Sequence, residues 1–114
     1  MHEMSIALNV VEIASREAES AGADRIESIT LEIGQLAGVL IDSLKFCFES
    51  ACKDSMAAGA ALHIDEVTGK GRCQSCSHEF EVDAFIALCP KCDSYRIEIV
   101  QGRELRVKSI EVND

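Results

Sequence analysis

The chain is 114 residues long, 47% hydrophobic, and carries a formal net charge of -9 at pH 7. That length suits one domain with a small satellite, and the apolar fraction is ample for one globular core. No run of 18 apolar residues occurs, and the N-terminus shows a charge and helical periodicity where a signal peptide has a basic start and an unbroken apolar stretch, so a cytoplasmic protein with no membrane span and reduced cysteines is expected.

In chain order, Met4, Leu8, Val11 and Ala18, with Ile6, Val10 and Ile13 beside them, recur at helical spacing. They predict a helix over about residues 4–20, stopped by Gly22. "RIESITLEIG" alternates, with Ile29, Leu31 and Ile33 on one face, and predicts a strand ending at Gly34. In "IDSLKFCFESACKDSM", Leu44, Cys47, Phe48, Ala51 and Cys52 form one helical stripe, with Asp42 or Ser43 as the expected N-cap. "AALHIDEVTG" reads as a second strand leading into the link "TGKG". After a cysteine-rich segment, "YRIEIVQGRELRVKSIEV" reads as two strands about a Gln101-Gly102 turn. The alternation slips phase between Val107 and Ile110, so a bulge near Lys108 and Ser109 is expected.

The strongest local signal is "CQSC" followed by "CPKC". A two-residue gap lets both thiolates of one turn face a single ion, and the hairpin expected in "SHEFEVDAFIAL" brings the second turn opposite the first. Cys73, Cys76, Cys89 and Cys92 are the predicted ligands. Four thiolates with no open position favour structural Zn²⁺ over a catalytic site, with a rubredoxin-like iron centre as the rival. The segment is too short to bury much core, so the metal supplies folding energy on the order of 10 kcal/mol.

Cys47 and Cys52 lie on the apolar stripe of the second helix and read as core. His63, between Leu62 and Ile64, is expected to face solvent. His78 is either a hydrogen-bond partner to a thiolate or an exposed turn residue.

The first residues, "MHE", also offer metal donors. With Met1 retained because the large second residue blocks its removal, the terminal amine, the amide nitrogen of His2 and its imidazole close fused five- and six-membered chelate rings. Glu3 adds a carboxylate or another amide. Such a nitrogen-rich, nearly planar set suits Ni²⁺ or Cu²⁺ better than tetrahedral Zn²⁺. On spacing alone, a terminal His-Glu reads more simply as a solvated chain end.

"MHEMSIALNVVEIA", "LEIG" near residue 31, "SLKFCFE" at 43–49, the "CQSC" and "CPKC" pair and the closing "VKSIEV" together resemble the HypA/HybF family of hydrogenase-maturation nickel metallochaperones, over essentially the whole chain. The resemblance implies that Met1, His2 and Glu3 bind transferable Ni²⁺ and that the four cysteines hold structural Zn²⁺. It further implies a role with the GTPase HypB in inserting nickel into the large subunit of [NiFe] hydrogenase. In one place the chain departs from the pattern: where family members commonly carry an acidic residue able to approach the nickel site, it has Leu40, with Asp42 two residues later.

Charge narrows the function classes. Residues 1–69 hold twelve acidic against four basic residues, so a phosphate backbone is repelled and nucleic-acid binding is disfavoured. No nucleophile with a base at hand suggests an enzyme. The expected architecture is α+β: two helices on a small mixed three-stranded sheet, with an inserted zinc ribbon. Residues 1–69 and about 103–114 form the nickel-binding domain, and 70–102 the zinc-ribbon domain with its connecting strand. The carrier is expected as a monomer or homodimer; the alternative is a zinc-ribbon adaptor without a nickel role.

Overall fold

A computed structural model describes residues 2–83 and 87–113. The element order is α1 (Glu3–Ser20), β1 (Ile26–Gly34), α2 (Ile41–Cys52), β2 (Ala61–Val67), β3 (Lys70–Cys73), β4 (Glu79–Glu81), β5 (Ile97–Gln101) and β6 (Leu105–Val112). The strands form two three-stranded sheets, in the orders β2-β1-β6 and β4-β3-β5. The fold is α+β, with the cysteine-rich segment built around the second sheet.

The first sheet is mixed. The Gln35 amide donates to the Val67 carbonyl, joining the C-terminal ends of β1 and β2, which therefore run parallel. The Gly34 amide bonds Glu104, while Asn113 at the far end bonds Arg25, so β6 runs antiparallel to β1. A parallel pair needs a long crossover, and α2 supplies it. As its apolar residues predict, "ELRVKSIEV" returns to this sheet, where Val107, Ile110 and Val112 are half-buried and Leu105 stays exposed. The burial pattern of β6 slips phase at Lys108 and Ser109, as the alternation of its sequence does.

The chain divides into two compact units. The first comprises residues 1–32, 39–65 and 106–114; the second comprises 33–38 and 66–105. In the first, α1 packs on α2, and the core gathers Ala7, Val10, Val11, Ala14 and Ala18 of α1, Leu44, Phe48, Ala51 and Cys52 of α2, and Ile29 and Leu31 of β1. Of the expected stripe of α1, Val10, Val11 and Ala18 are buried while Met4, Leu8 and Ile13 are exposed, and Ala7 and Ala14 face inward in their place. Small residues let helices approach closely, so the helix buries a face of Ala7, Ala14 and Ala18 with Val10 and Val11, while Met4, Leu8 and Ile13 lie elsewhere. Gly22, at φ +75°, stops α1 as expected.

The expected N-cap of α2 is corrected. The cap is Leu40, no side chain of its own bonds the helix end, and Asp42 lies within the first turn, where its charge complements the helix dipole. Cys52 is buried with its thiol raised to about 11 by desolvation, whereas Cys47 is only half-buried.

In the second unit, β3 is the central strand and runs antiparallel to both β4 and β5. "KGRC" has no hydrophobic alternation, so β3 carries no strand signal in sequence; cross-strand ion pairs from Arg72 to Glu79 and Glu98 accompany its pairing. Of the expected hairpin, β4 is seen, paired with β3, while residues 84–86 lie outside the described residues. Residues 33–38 belong here because the Gly34 amide bonds Glu104, Leu36 bonds the Gly102 carbonyl, and the Gln35 side chain accepts from Gly69.

Candidate metal centres

Each CxxC segment folds into the same knuckle. The Ser77 amide donates to the Cys73 carbonyl at 2.8 Å, and the Cys73 amide donates to His78 at 2.9 Å. In the second knuckle Asp93 donates to Cys89 at 2.9 Å and Cys89 to Ser94 at 2.9 Å. The residue after each second cysteine, Ser77 or Asp93, takes a left-handed conformation at φ 66° or 59°. That turn lets both thiols of a knuckle face one point. A hydroxyl contact of 3.0 Å between Ser75 and Ser94 ties the knuckles together. Neither serine stands out in the sequence, although each lies within two residues of a ligand cysteine.

The four sulfurs of Cys73, Cys76, Cys89 and Cys92 lie within 4.8 Å of one another, the only metal-competent cluster of three or more such side chains among the described residues. Cys73 and Cys92 approach to 3.5 Å, as do Cys76 and Cys89. A tetrahedral Zn²⁺ with Zn–S bonds of about 2.3 Å needs sulfurs about 3.8 Å apart, so the donor set fits. Burial opposes ionisation of Cys73, but the amides of Cys76 and Ser75 and the thiols of Cys92 and Cys76 outweigh it and lower that thiol to about 6. At Cys92 the Ser94 amide favours the thiolate, but Cys73, burial, Cys76 and Cys89 together push it up to about 12. Cys76 is also raised: the His78 amide favours its thiolate, while burial and the Cys89 and Cys73 thiols oppose it. The Cys73 thiolate forms readily while Cys76 and Cys92 resist, because like charges this close repel. A dication at the centre removes that conflict.

His78 contributes its backbone to this cluster, while its imidazole stacks on Phe80 with ring centroids 5.8 Å apart. His63 is exposed on β2.

At the N-terminus, Met1 lies outside the described residues. His2 is exposed and is the N-cap residue of α1, where its imidazole makes no capping hydrogen bond. Glu3 is buried, at 6% exposure, and its Oε2 accepts from the Leu40 amide at 3.3 Å. The Leu40 side chain is exposed. The backbone therefore places His2 and Glu3 side by side but turns their side chains to different tasks. Leu40 as a main-chain partner of Glu3 has no signal in sequence, since any residue except proline offers the same amide.

The model of the family described as hydrogenase/urease nickel incorporation, metallochaperone, hypA, matches residues 1–112. The hydrogenase maturation factor HypA of Chlorobium luteolum is 49% identical over 114 residues, covering 100% of this chain and 97% of that one. The factor of the same name from Geobacter metallireducens is 48% identical over 112 residues, covering 98% and 99%. The solution structure of the Ni metallochaperone HypA from Helicobacter pylori is 29% identical with a TM-score of 0.69, covering 98% of this chain and 97% of that one. A solution structure of HypA protein, also 29% identical, has a TM-score of 0.71 and covers 99% and 97%. Matched by the family model over residues 1–112 and by these relatives over nearly their full length, the chain belongs to the HypA family of nickel-incorporation metallochaperones.

Proposed function

We propose that this chain carries Ni²⁺ on the Met1 amine, the main-chain nitrogens of His2 and Glu3 and the His2 imidazole, and inserts it into the large subunit of [NiFe] hydrogenase with the GTPase HypB. The observation that carries this reading is the exposed His2 imidazole, uncommitted to capping, directly ahead of α1. The first amides of a helix have no intrahelical acceptor, so recruiting those of His2 and Glu3 breaks no helical hydrogen bond. A cation at a helix N-terminus is opposed by the dipole, and two deprotonated amides neutralise the dication they bind. Because the Glu3 carboxylate is engaged with Leu40, Glu3 serves the chelate through its main-chain nitrogen. Asp42, exposed in the first turn of α2, is not needed for the set.

Each donor sheds a proton to bind, so nickel binding tightens as pH rises and protonation favours release. That suits cargo to be handed on. In this reading Cys73, Cys76, Cys89 and Cys92 hold Zn²⁺, which fixes the two knuckles and leaves no open position for catalysis. The chain acts in the cytoplasm, as a monomer or homodimer, and is not itself an enzyme. None of its helices, among the described residues, is long and apolar enough to cross a membrane.

Calorimetric nickel titration of the zinc-loaded parent, His2→Ala and a form extended ahead of Met1 tests the assignment. Both altered forms should lose the specific site while keeping their zinc. Undiminished nickel binding in either would move the site elsewhere, with His63 and His78 the next candidates.

A further inference from the structure

The four cysteines are not equivalent. Cys76 and Cys92 are exposed, one from each knuckle, while Cys73 and Cys89 are buried. The two contacts of 3.5 Å each join an exposed sulfur to a buried one across the knuckles: Cys92 to Cys73, and Cys76 to Cys89. An oxidant in solution therefore meets one sulfur of each pair first, and the sulfur best placed to react next belongs to the other knuckle.

We propose that this cluster is a peroxide-sensitive modification site, in which oxidation at Cys92 and Cys76 is resolved by Cys73 and Cys89 into two cross-knuckle disulfides that release the metal. The proposal rests on the zinc reading given above for the metal released. In the first step the sulfur of Cys92 attacks one oxygen of hydrogen peroxide, the O–O bond breaks, and a sulfenic acid forms with loss of water. The sulfur of Cys73 then attacks the sulfenic sulfur, an S–S bond forms, and the hydroxyl leaves as a second water. Cys76 and Cys89 react in the same way. For four zinc-bound thiolates the sum consumes two hydrogen peroxide and four protons, and yields two disulfides, four water and one Zn²⁺. The sulfurs are oxidised and the peroxide oxygens are reduced.

The geometry favours this pairing over disulfides within each CxxC. A disulfide has its sulfurs about 2.05 Å apart, so each pair closes by about 1.5 Å from its contact of 3.5 Å. The resulting bonds tie together the same two turns that the metal held. The oxidised segment therefore keeps its two turns joined without zinc, and a thiol reductant returns it to the metal-binding form.

The test uses the full-length, zinc-loaded protein. Its zinc content is measured first, then hydrogen peroxide is added stepwise while freed zinc is followed with a chelating dye, and disulfides are mapped by mass spectrometry of a non-reduced digest. The expected result is one zinc freed for every two peroxide consumed, linkages Cys73–Cys92 and Cys76–Cys89, a free thiol at Cys52, and recovery of zinc binding after reduction. Zinc retained under peroxide, or disulfides formed within Cys73–Cys76 and Cys89–Cys92, would overturn this proposal and leave the zinc assignment standing. A reduced protein without bound zinc would overturn the assignment itself, and the proposed release with it.

Discussion

The carboxylate of Glu3 accepts a hydrogen bond from the main-chain amide of Leu40 at 3.3 Å, joining the first turn of α1 to the residue that caps α2. In a capping box the third residue of a helix reaches back to its own cap; here a residue 37 positions upstream takes that part. One negative charge thereby lies near the positive ends of two helices. Glu3→Ala should destabilise the first unit by about 1 kcal/mol, read from urea unfolding, with Glu3→Gln retaining an acceptor and losing less. Nickel stoichiometry should survive in Glu3→Gln. If it vanished with the fold intact, the carboxylate rather than the amide of Glu3 would be the donor.

Gly34 separates crowding from backbone strain. A Cβ there would meet the Gly102 carbonyl oxygen at 1.9 Å and its carbon at 2.1 Å, backbone atoms that have no rotamer to retreat into. Gly34→Ala should cost about 3 kcal/mol or more. Gly22 has φ +75° and open space around it, so Gly22→Ala bears only the left-handed penalty of about 1 kcal/mol. Urea midpoints of the two zinc-loaded variants should differ in that order, and equal losses would contradict the close approach at Gly34.

Ser77 and Asp93 occupy equivalent left-handed positions after the two knuckles. Glycine adopts this conformation without penalty, and aspartate tolerates it better than serine does. Ser77→Gly should therefore raise stability by up to about 1 kcal/mol, and Asp93→Gly by less. Thermal melts with zinc bound would show it; a larger gain at Asp93 would mean that its side chain opposes the turn in some other way.

Loss of one ligand should unfold the second unit and spare the first. Cys92→Ala opens the metal site and forfeits much of a binding energy on the order of 10 kcal/mol, which a short three-stranded sheet has little buried surface to replace. We expect zinc content to collapse and amide protection to vanish over residues 70–101, while α1 and α2 keep their helical circular dichroism. Parent-like zinc content and spectrum in this variant would defeat the four-cysteine assignment.

Across the first sheet, Glu32 is held below its ordinary carboxylate range, chiefly by the hydrogen bond from Arg106 at 2.8 Å. A depressed folded-state value means that the contribution is present above the ordinary carboxylate pKa and is lost as pH falls through the lowered one. Glu32→Gln should be less stable than the parent at about pH 7, and the two should converge in acid once the pH lies below the lowered value. A gap that persisted in acid would assign the effect to packing. Lys108, raised by its hydrogen bond to Asp65, works in the opposite sense, its contribution fading only as pH climbs through its elevated value.

What the sequence determined by itself was local. The stripe Leu44, Cys47, Phe48, Ala51 and Cys52 marks α2 because helical neighbours are three and four residues apart, and all of it is buried as predicted except Cys47, which is half-buried. The knuckles are legible because a two-residue gap is enough to turn two thiols toward one point. The strand after Glu104 could be assigned to the first sheet because its apolar residues had no other cover. Other features depended on the tertiary structure, since their partners are distant in the chain or are main-chain atoms. Periodicity picks out Val10, Val11 and Ala18 of α1 correctly but gives equal weight to Met4, Leu8 and Ile13, whereas Ala7 and Ala14 face the core because close helix packing rewards small side chains. Strand β3 has no pattern of its own and is defined by its neighbours on both sides. Glu3 appears in sequence as a possible metal donor, and only the folded chain brings the Leu40 amide within its reach, directing the carboxylate into the protein and leaving His2 facing solvent.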